Sequence, residues 1–299
     1  RTYVRWPGSL TGDPASGVFG LTGSRWATEP CAVLKVVRAM VMLVISPVDL
    51  DDLMHQGWPA LASLAIDGWL VRLSQGVTQR ANSVLPVSSP QDLVGALERV
   101  ELLYRGEGLR PIFQISPAAQ PAELDAILAA RGYELRSPTL VQVARIDDVL
   151  HQLPTSDVSV AVDNAPDEEW LDLWWSIDGR GDADARAVAR RLLVAGPALY
   201  ASIRDGAGAA AVGRLALVDG WGGIYCMAVR EDARRRGYAK AVLRALLERA
   251  SKRGIQGIWL QVVADNHAAR ALYERSGFTR ASSYHYRTQR SPGPAFTAG

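Results

Sequence analysis

Cysteine is nearly missing: the 299 residues hold two, Cys31 and Cys226. They lie far apart, and neither sits in a Cys-x-x-Cys or Cys/His pattern. This excludes a disulfide framework or a zinc site as the basis of the fold, so no metal is expected and a reducing, cytoplasmic setting is. An excess of one charge is missing as well. The net charge is +2, so no global field selects nucleic acid or an acidic partner. Long apolar runs are also lacking. The most apolar stretch, Ala32–Ser46, contains Lys35 and Arg38 and is too short to cross a bilayer. It has neither the position nor the cleavage site of a signal peptide, and membrane association is not expected. Arg1 stands where Met would start a chain, as expected of a processed or shortened one.

Apolar residues are plentiful, at 48%, and the length suggests about two domains. Residues 1–46 hold short strand-like runs separated by Gly and Pro, which predicts a small β-rich segment. From Pro47 onward helical and strand patterns alternate. Pro47–Gln56 opens on proline with acids in its first turn, a helix start. Strands are expected in 68–75 and 81–87, a helix from Leu93 with Leu97, Val100 and Leu103 on one face, and a strand in Pro111–Ser116. A helix ended by Gly132 and a strand over 138–146 complete this half. The second half runs through a strand at Val158–Val162, helices at 166–177 and 183–195, and strands at 198–204, 208–218 and 222–229. A helix from Tyr238, a strand at 257–263, a helix at 267–277 and a strand at 282–289 follow. The fold class expected is α/β with a mixed sheet.

The halves repeat. "ILAARGY", ending at Tyr133, matches "LYERSGF", ending at Phe278, at a spacing of 145 residues. "PIFQIS" and "GIWLQVV", and "SVLPV" and "CMAV", align at nearly the same spacing. Elements of one order at a constant offset indicate internal duplication. With a boundary near Gln152–Asp157, the expected division is 1–46, 47–152 and 153–299.

Arg234-Arg235-Arg236-Gly237-Tyr238-Ala239 lies between a strand ending near Val229 and a helix starting near Gly237. A helix N-terminus offers unpaired N–H groups and the positive end of the macrodipole. Small residues let that backbone approach an anion, and the arginines with Lys240 add charge for phosphate oxygens. Taken alone, the stretch also fits a basic, solvated turn. A second motif follows in Ala264–Phe278, where Asn266, Ala269, Leu272, Tyr273, Gly277 and Phe278 form N-x-x-A-x-x-L-Y-x-x-x-G-F. Together with R-x-x-G-x-A it closely resembles the GNAT superfamily of N-acetyltransferases, over about Val158–Arg287.

The resemblance implies tandem GNAT-like domains, the first copy degenerate, and acetyl-CoA bound between splayed parallel strands. Met227, Ala228 and Val229 would pair with the pantetheine arm. Arg234, Arg235, Arg236, Gly237, Tyr238, Ala239 and Lys240 would hold the pyrophosphate, mostly through backbone N–H groups. Asn266 would hydrogen-bond the cofactor. Tyr273 would protonate the departing thiolate, which is physically reasonable for a phenol of pKa ~10 beside a thiol of ~8.5. Its alternative role is core packing beside Leu272.

No general base is legible. Asp219, His267 and His285 read as structural, and Cys226 as a small buried hydrophobe rather than a nucleophile. Asp163–Asp184 holds eight carboxylates and one arginine. They form either a negative rim drawing a cationic amine or ordinary acids of a helix first turn. Trp170, Trp174 and Trp175 read as core, with room for one of them in the acceptor slot. In the first half Leu128 stands at the position of Tyr273, a residue near Pro121 at that of Asn266, and "VSSPQDLV" at that of the basic loop. The expected function is acetyl transfer from acetyl-CoA to a primary amine, on a protein lysine (basic histone-like proteins included) or on a small molecule. The alternative is an acyl-CoA-binding sensor without turnover.

Overall fold

The computed structural model describes residues 45–289. The β-rich segment expected at residues 1–46 lies outside the described residues except for its last two. Ser46 starts α1 (Pro47–Gly57), its hydroxyl accepting from Asp49 N–H at 3.1 Å. A hairpin follows, β1 (Ala62–Ile66) and β2 (Trp69–Leu73), then β3 (Val84–Leu85), α2 (Leu93–Gly106), β4 (Ile112–Ile115), α3 (Leu124–Ala130), β5 (Tyr133–Arg145) and α4 (Ile146–Gln152). The second half holds β6 (Ala161–Asp163), α5 (Glu168–Asp178), α6 (Ala183–Leu193), β7 (Ala198–Asp205), β8 (Gly208–Val218) and β9 (Trp221–Val229). A 3-10 turn at Glu231–Ala233, α7 (Tyr238–Ser251), β10 (Gly257–Val263), α8 (His267–Arg275) and β11 (Thr279–Gln289) complete it.

The mixed α/β class expected is the one observed: the strands of the described residues form a single 11-stranded sheet, in the order β1-β2-β3-β4-β11-β5-β10-β9-β8-β7-β6. The repeat is visible in three dimensions. Helices α2 and α7 each have 14 residues, and the turns after α3 and α8 both place a left-handed glycine, Gly132 at φ 84° and Gly277 at φ 91°. Only glycine adopts that conformation without steric cost.

The order of the strands adds something the repeat did not predict. Each half gives its last strand to the other. β5 runs antiparallel along β10, from Arg145 opposite Gly257 to Thr139 opposite Val263. β11 lies between β4 and β5. The exchange welds the halves at the centre of the sheet. Helices cover both faces of the second half, so β8 is buried on both faces rather than alternating. One layer packs α7 residues Val242, Leu243, Leu246 and Leu247 on Leu199, Leu215 and Ile258. Across the sheet, Trp170, Leu171 and Trp174 of α5 share a core with Leu50, Met54 and Trp58 of the α1 region.

Candidate active site

The site begins where two parallel strands part. β9 and β10 pair only from Trp221 and Gly257 to Ile224 and Leu260. Beyond that point no pairing joins Tyr225–Val229 to Gln261–Val263. A bulge in β9 turns the strand away: the register with β8 jumps between Val212 and Arg214, so Cys226 and Met227 together face Gly213. Cys226 takes φ 54°, and a Cβ at Gly213 would lie 2.6 Å from Met227 Sδ and 2.7 Å from Val242 Cγ1. Such a bulge bends a strand and leaves its backbone groups open. The wedge between the strands is a cavity of about 370 Å³, lined by Met227, Gln261, Asn266 and Tyr273 among others.

A second cavity, about 400 Å³, opens over the basic loop and is lined by Val229, Arg234, Arg235, Gly237, Tyr238, Ala239 and Lys240. Buried Ala233 pins the 3-10 turn beneath it. Arg230 anchors the loop: it ion-pairs with Asp205 at 2.8 Å and Asp232 at 2.6 Å, and donates to Ala209 O at 3.0 Å. Arg234, Arg235 and Arg236 are exposed and form no ion pair among the described residues. Arg235 at φ 63° and Gly237 at φ 80° are left-handed. The first backbone bonds of α7 run from Lys240 and Ala241 N–H to Gly237 O. The N–H groups of Arg235, Arg236, Gly237, Tyr238 and Ala239 therefore have no protein acceptor among the described residues. No heavy atom lies within 4 Å of a Cβ built on Gly237. Unpaired N–H groups at a helix start, with alternating backbone hand and open space in front, are the geometry that can hold an anion.

α8 supplies the other motif. Asn266 is its N-cap, with Oδ1 accepting from Ala269 N–H at 3.1 Å, and its Nδ2 makes no hydrogen bond among the described residues. Tyr273 is buried, its ring edge-on to Phe278 at 5.6 Å. Burial, then the negative charge of Asp178, pushes the phenol up to about 12. Its hydroxyl makes no hydrogen bond among the described residues. Cys226 is a free thiol pushed up to about 12 by burial, neutral and unsuited to attack. His285 sits 2.7 Å from Asp125, away from the cleft.

Four of the eight carboxylates in the acidic stretch are paired with arginines. Arg186 and Arg190 neutralise Glu168, Arg186 also holds Asp172 at 2.5 Å, and Arg204 takes Asp167 and Glu169. Asp178 differs, because it lines the cleft. Its carboxyl is raised above the usual range by desolvation. One turn before it, Trp174 lines the same wall, while Trp170 is buried in the core and donates to Ala201 O at 3.0 Å. The spacing of Trp170, Trp174 and Asp178 on one helix face was the available signal for Asp178. The far wall comes from the first half, with Trp58, Thr78 and Arg80, and no motif in the sequence marks these residues.

Residues 49–287 match the family described as "Probable histone acetyltransferase Rv0428c C-terminal", and the chain belongs to that family. It is 30% identical over 243 residues to the uncharacterized N-acetyltransferase YobR of Bacillus subtilis (strain 168), covering 81% of this chain and 98% of YobR. The fold is that of a GCN5-related N-acetyltransferase from Kribbella flavida, with TM-score 0.62 at 17% identity over 83% of this chain and 96% of the other. It also matches a tandem GNAT protein from the clavulanic acid biosynthesis pathway, with TM-score 0.56 at 14% identity over 82% and 89% of the two chains. The chain is thus a GNAT-type acyltransferase that uses acetyl-CoA. Among the described residues no helix is long and apolar enough to cross a membrane.

Proposed function

We propose that the cleft moves the acetyl group of acetyl-CoA onto a primary amine, with Arg235–Ala239 holding the pyrophosphate. The observation that carries this reading is the run of unpaired N–H groups above an empty cradle, joined to a cleft that contains both a proton donor and a proton acceptor. Met227, Ala228 and Val229 offer the splayed edge to the pantetheine arm, Arg234 and Lys240 add charge beside it, and Asn266 Nδ2 is a further donor. Asp178, with its raised pKa, takes a proton from the incoming ammonium. The freed amine attacks the thioester carbonyl, the C–S bond breaks, and the Tyr273 hydroxyl gives its proton to the departing sulfur. Solvent then restores the phenol. The acceptor is a protein lysine, in keeping with the family's description, or a small amine.

In this reading the chain divides into 1–46, 47–152 and 153–299, with the second part a copy that has lost the cofactor machinery. A cytoplasmic setting suits the free thiol of Cys226.

Release of free thiol from acetyl-CoA in the presence of amines tests the chemistry. Tyr273→Phe is expected to lower turnover by about 10²–10⁴-fold with acetyl-CoA affinity unchanged. Asp178→Asn is expected to remove the acidic limb of the rate–pH profile, since the wild-type rate rises as the carboxylate deprotonates. Near wild-type turnover in the Phe variant would return Tyr273 to a packing role.

A further inference from the structure

We propose that the acceptor carries a carboxylate near its amine, and that Arg80 binds this carboxylate across the cleft from Asp178. The inference rests on the reading of the cleft as an acetyl-transfer site and names the class of its second substrate.

Arg80 belongs to the first half of the chain, yet it lines the cleft opened by β9 and β10. Its guanidinium lies 5.8 Å from the Trp58 ring centroid and 5.3 Å from that of Tyr225. Two aromatic faces thus fix its position. No carboxylate pairs with it among the described residues, and Nε is buried without an acceptor. Its polar neighbours are the hydroxyls of Tyr284, Tyr286 and Tyr225; that of Tyr284 accepts from the guanidinium and itself donates to Gln261 Oε1 at 2.8 Å, and all three are neutral phenols. A guanidinium has five N–H donors in a planar fork matched to a carboxylate. Holding one largely out of water with no counter-ion is costly, and an anion arriving through the cleft removes that cost.

The loop that delivers Arg80 is rigid. Asn82 bonds it from within, its Oδ1 accepting from Ser74 and Gly76 N–H at 2.7 and 2.9 Å and its Nδ2 donating to Val77 and Thr78 O at 2.6 and 2.8 Å. Thr78 Oγ1 accepts from Trp58 Nε1 at 3.3 Å. Behind the same aromatic wall lies fully buried Arg214, 5.4 Å from the Trp58 ring and 5.5 Å from that of Tyr225. It donates to Leu193 O at 3.1 Å and Gly57 O at 2.9 Å and meets no carboxylate. Arg80 in the cleft wall and Arg214 behind it thus put two positive charges around a cleft lined by one carboxylate, Asp178, whose own basic neighbour is Arg180. That balance suits a zwitterion whose ammonium meets Asp178 and whose carboxylate meets Arg80. It disfavours a run of lysines, which would carry like charge toward both arginines.

The test is thiol release by the full chain with acetyl-CoA and three kinds of probe: the common α-amino acids, their carboxamides, and polycations (spermidine and a lysine-rich peptide). At least one amino acid is expected to exceed its own carboxamide in kcat/KM by about tenfold or more. Arg80→Gln should lower kcat/KM for that acid by about 10²-fold through KM. It should leave the carboxamide within about twofold and acetyl-CoA affinity, read by calorimetry, unchanged; Arg80→Lys should restore part of the loss. The wild-type contrast between acid and carboxamide needs no variant to fold. Polycations used as well as or better than every amino acid, or equal slowing of acid and carboxamide by Arg80→Gln, would overturn the inference. Bound acetyl-CoA with no amine of any kind accepted would instead sink the acetyl-transfer reading, and this inference with it.

Discussion

Helices α2 and α7 are the same helix of the repeat, at a spacing of 145 residues and with 14 residues each, but they begin differently. α2 starts at Asp92, whose carboxylate accepts from Gly95 N–H at 3.0 Å, while Asp67 accepts from Asp92 N–H at 3.1 Å. α7 starts at Gly237, left-handed and without a side chain, and its N–H groups stay open. One copy answers the helix dipole from within the protein; the other leaves it open, which is the basis of the proposed pyrophosphate site. Both copies have a cleft, but the polar groups lining it differ. At the repeat spacing Ser116 corresponds to Gln261, which lines the open cleft of the second half. Ser116 instead donates to buried Asp51. The position of Tyr273 is taken by Leu128, which is fully buried. The first half keeps a cavity of about 510 Å³ lined by Ser116, Pro121 and Leu124, so the copies differ in the groups they present rather than in having a cleft.

Moving the first copy's cap into the second gives the sharpest test of this comparison. Gly237→Asp should weaken acetyl-CoA binding by about 10²-fold or more, because the carboxylate would occupy the N–H groups and repel phosphate. Calorimetry reads this directly, and unchanged affinity in a folded variant would remove the anion-cradle assignment.

Asp51→Asn tests the partner that Ser116 has found inside the chain. Burial raises Asp51 from 3.8 to about 6, so its protonated form is the one the fold favours. Its contribution to stability is complete below about pH 4 and is lost as pH rises through about 6. The variant should gain at most about 3 kcal/mol at pH 7–8, at about 1.4 kcal/mol per pKa unit, and almost nothing at pH 4. Equal denaturation midpoints at both pH values would mean that the buried charge is not destabilising.

The smallest effect is expected at the first copy's own cap. Asp92→Ala should cost about 1 kcal/mol of stability without creating a second site, since Pro90 lacks an N–H and the nearby Arg99 is already paired with Asp67. Titration should give one acetyl-CoA per chain before and after the change. A stoichiometry of two would show that the first copy still binds.

Much of the fold could be read along the chain because the signals are local. Apolar spacing marked α2, α7 and the strands of the second half, and Gly132 and Gly277 marked their turns. The β1–β2 hairpin escaped the reading although Asp67-Gly68, at φ 47° and 86°, is a common two-residue hairpin turn. The exchange of β5 and β11 could not be read. Both strands carry the same kind of pattern, and which edge each one joins depends on residues more than a hundred positions away. The same holds for the site. The loop and α8 are contiguous motifs, and the structure brings them to adjoining cavities. Asp178 looked like one more acid in an acidic stretch until arginines accounted for its neighbours, and Arg80 stood in an unremarkable loop.

The sequence by itself determined the family, the open glycine start of α7, and the tyrosine beside the apolar face of α8, because each is written within one turn or one loop. Only the tertiary structure decided what stands opposite them. Exchanged strands fuse the two copies into one sheet, α1 and the loop after β2 reach over the second copy's cleft, and an arginine from one half comes to face a carboxylate from the other. Contacts of that kind depend on packing between distant segments, and no local spacing encodes them.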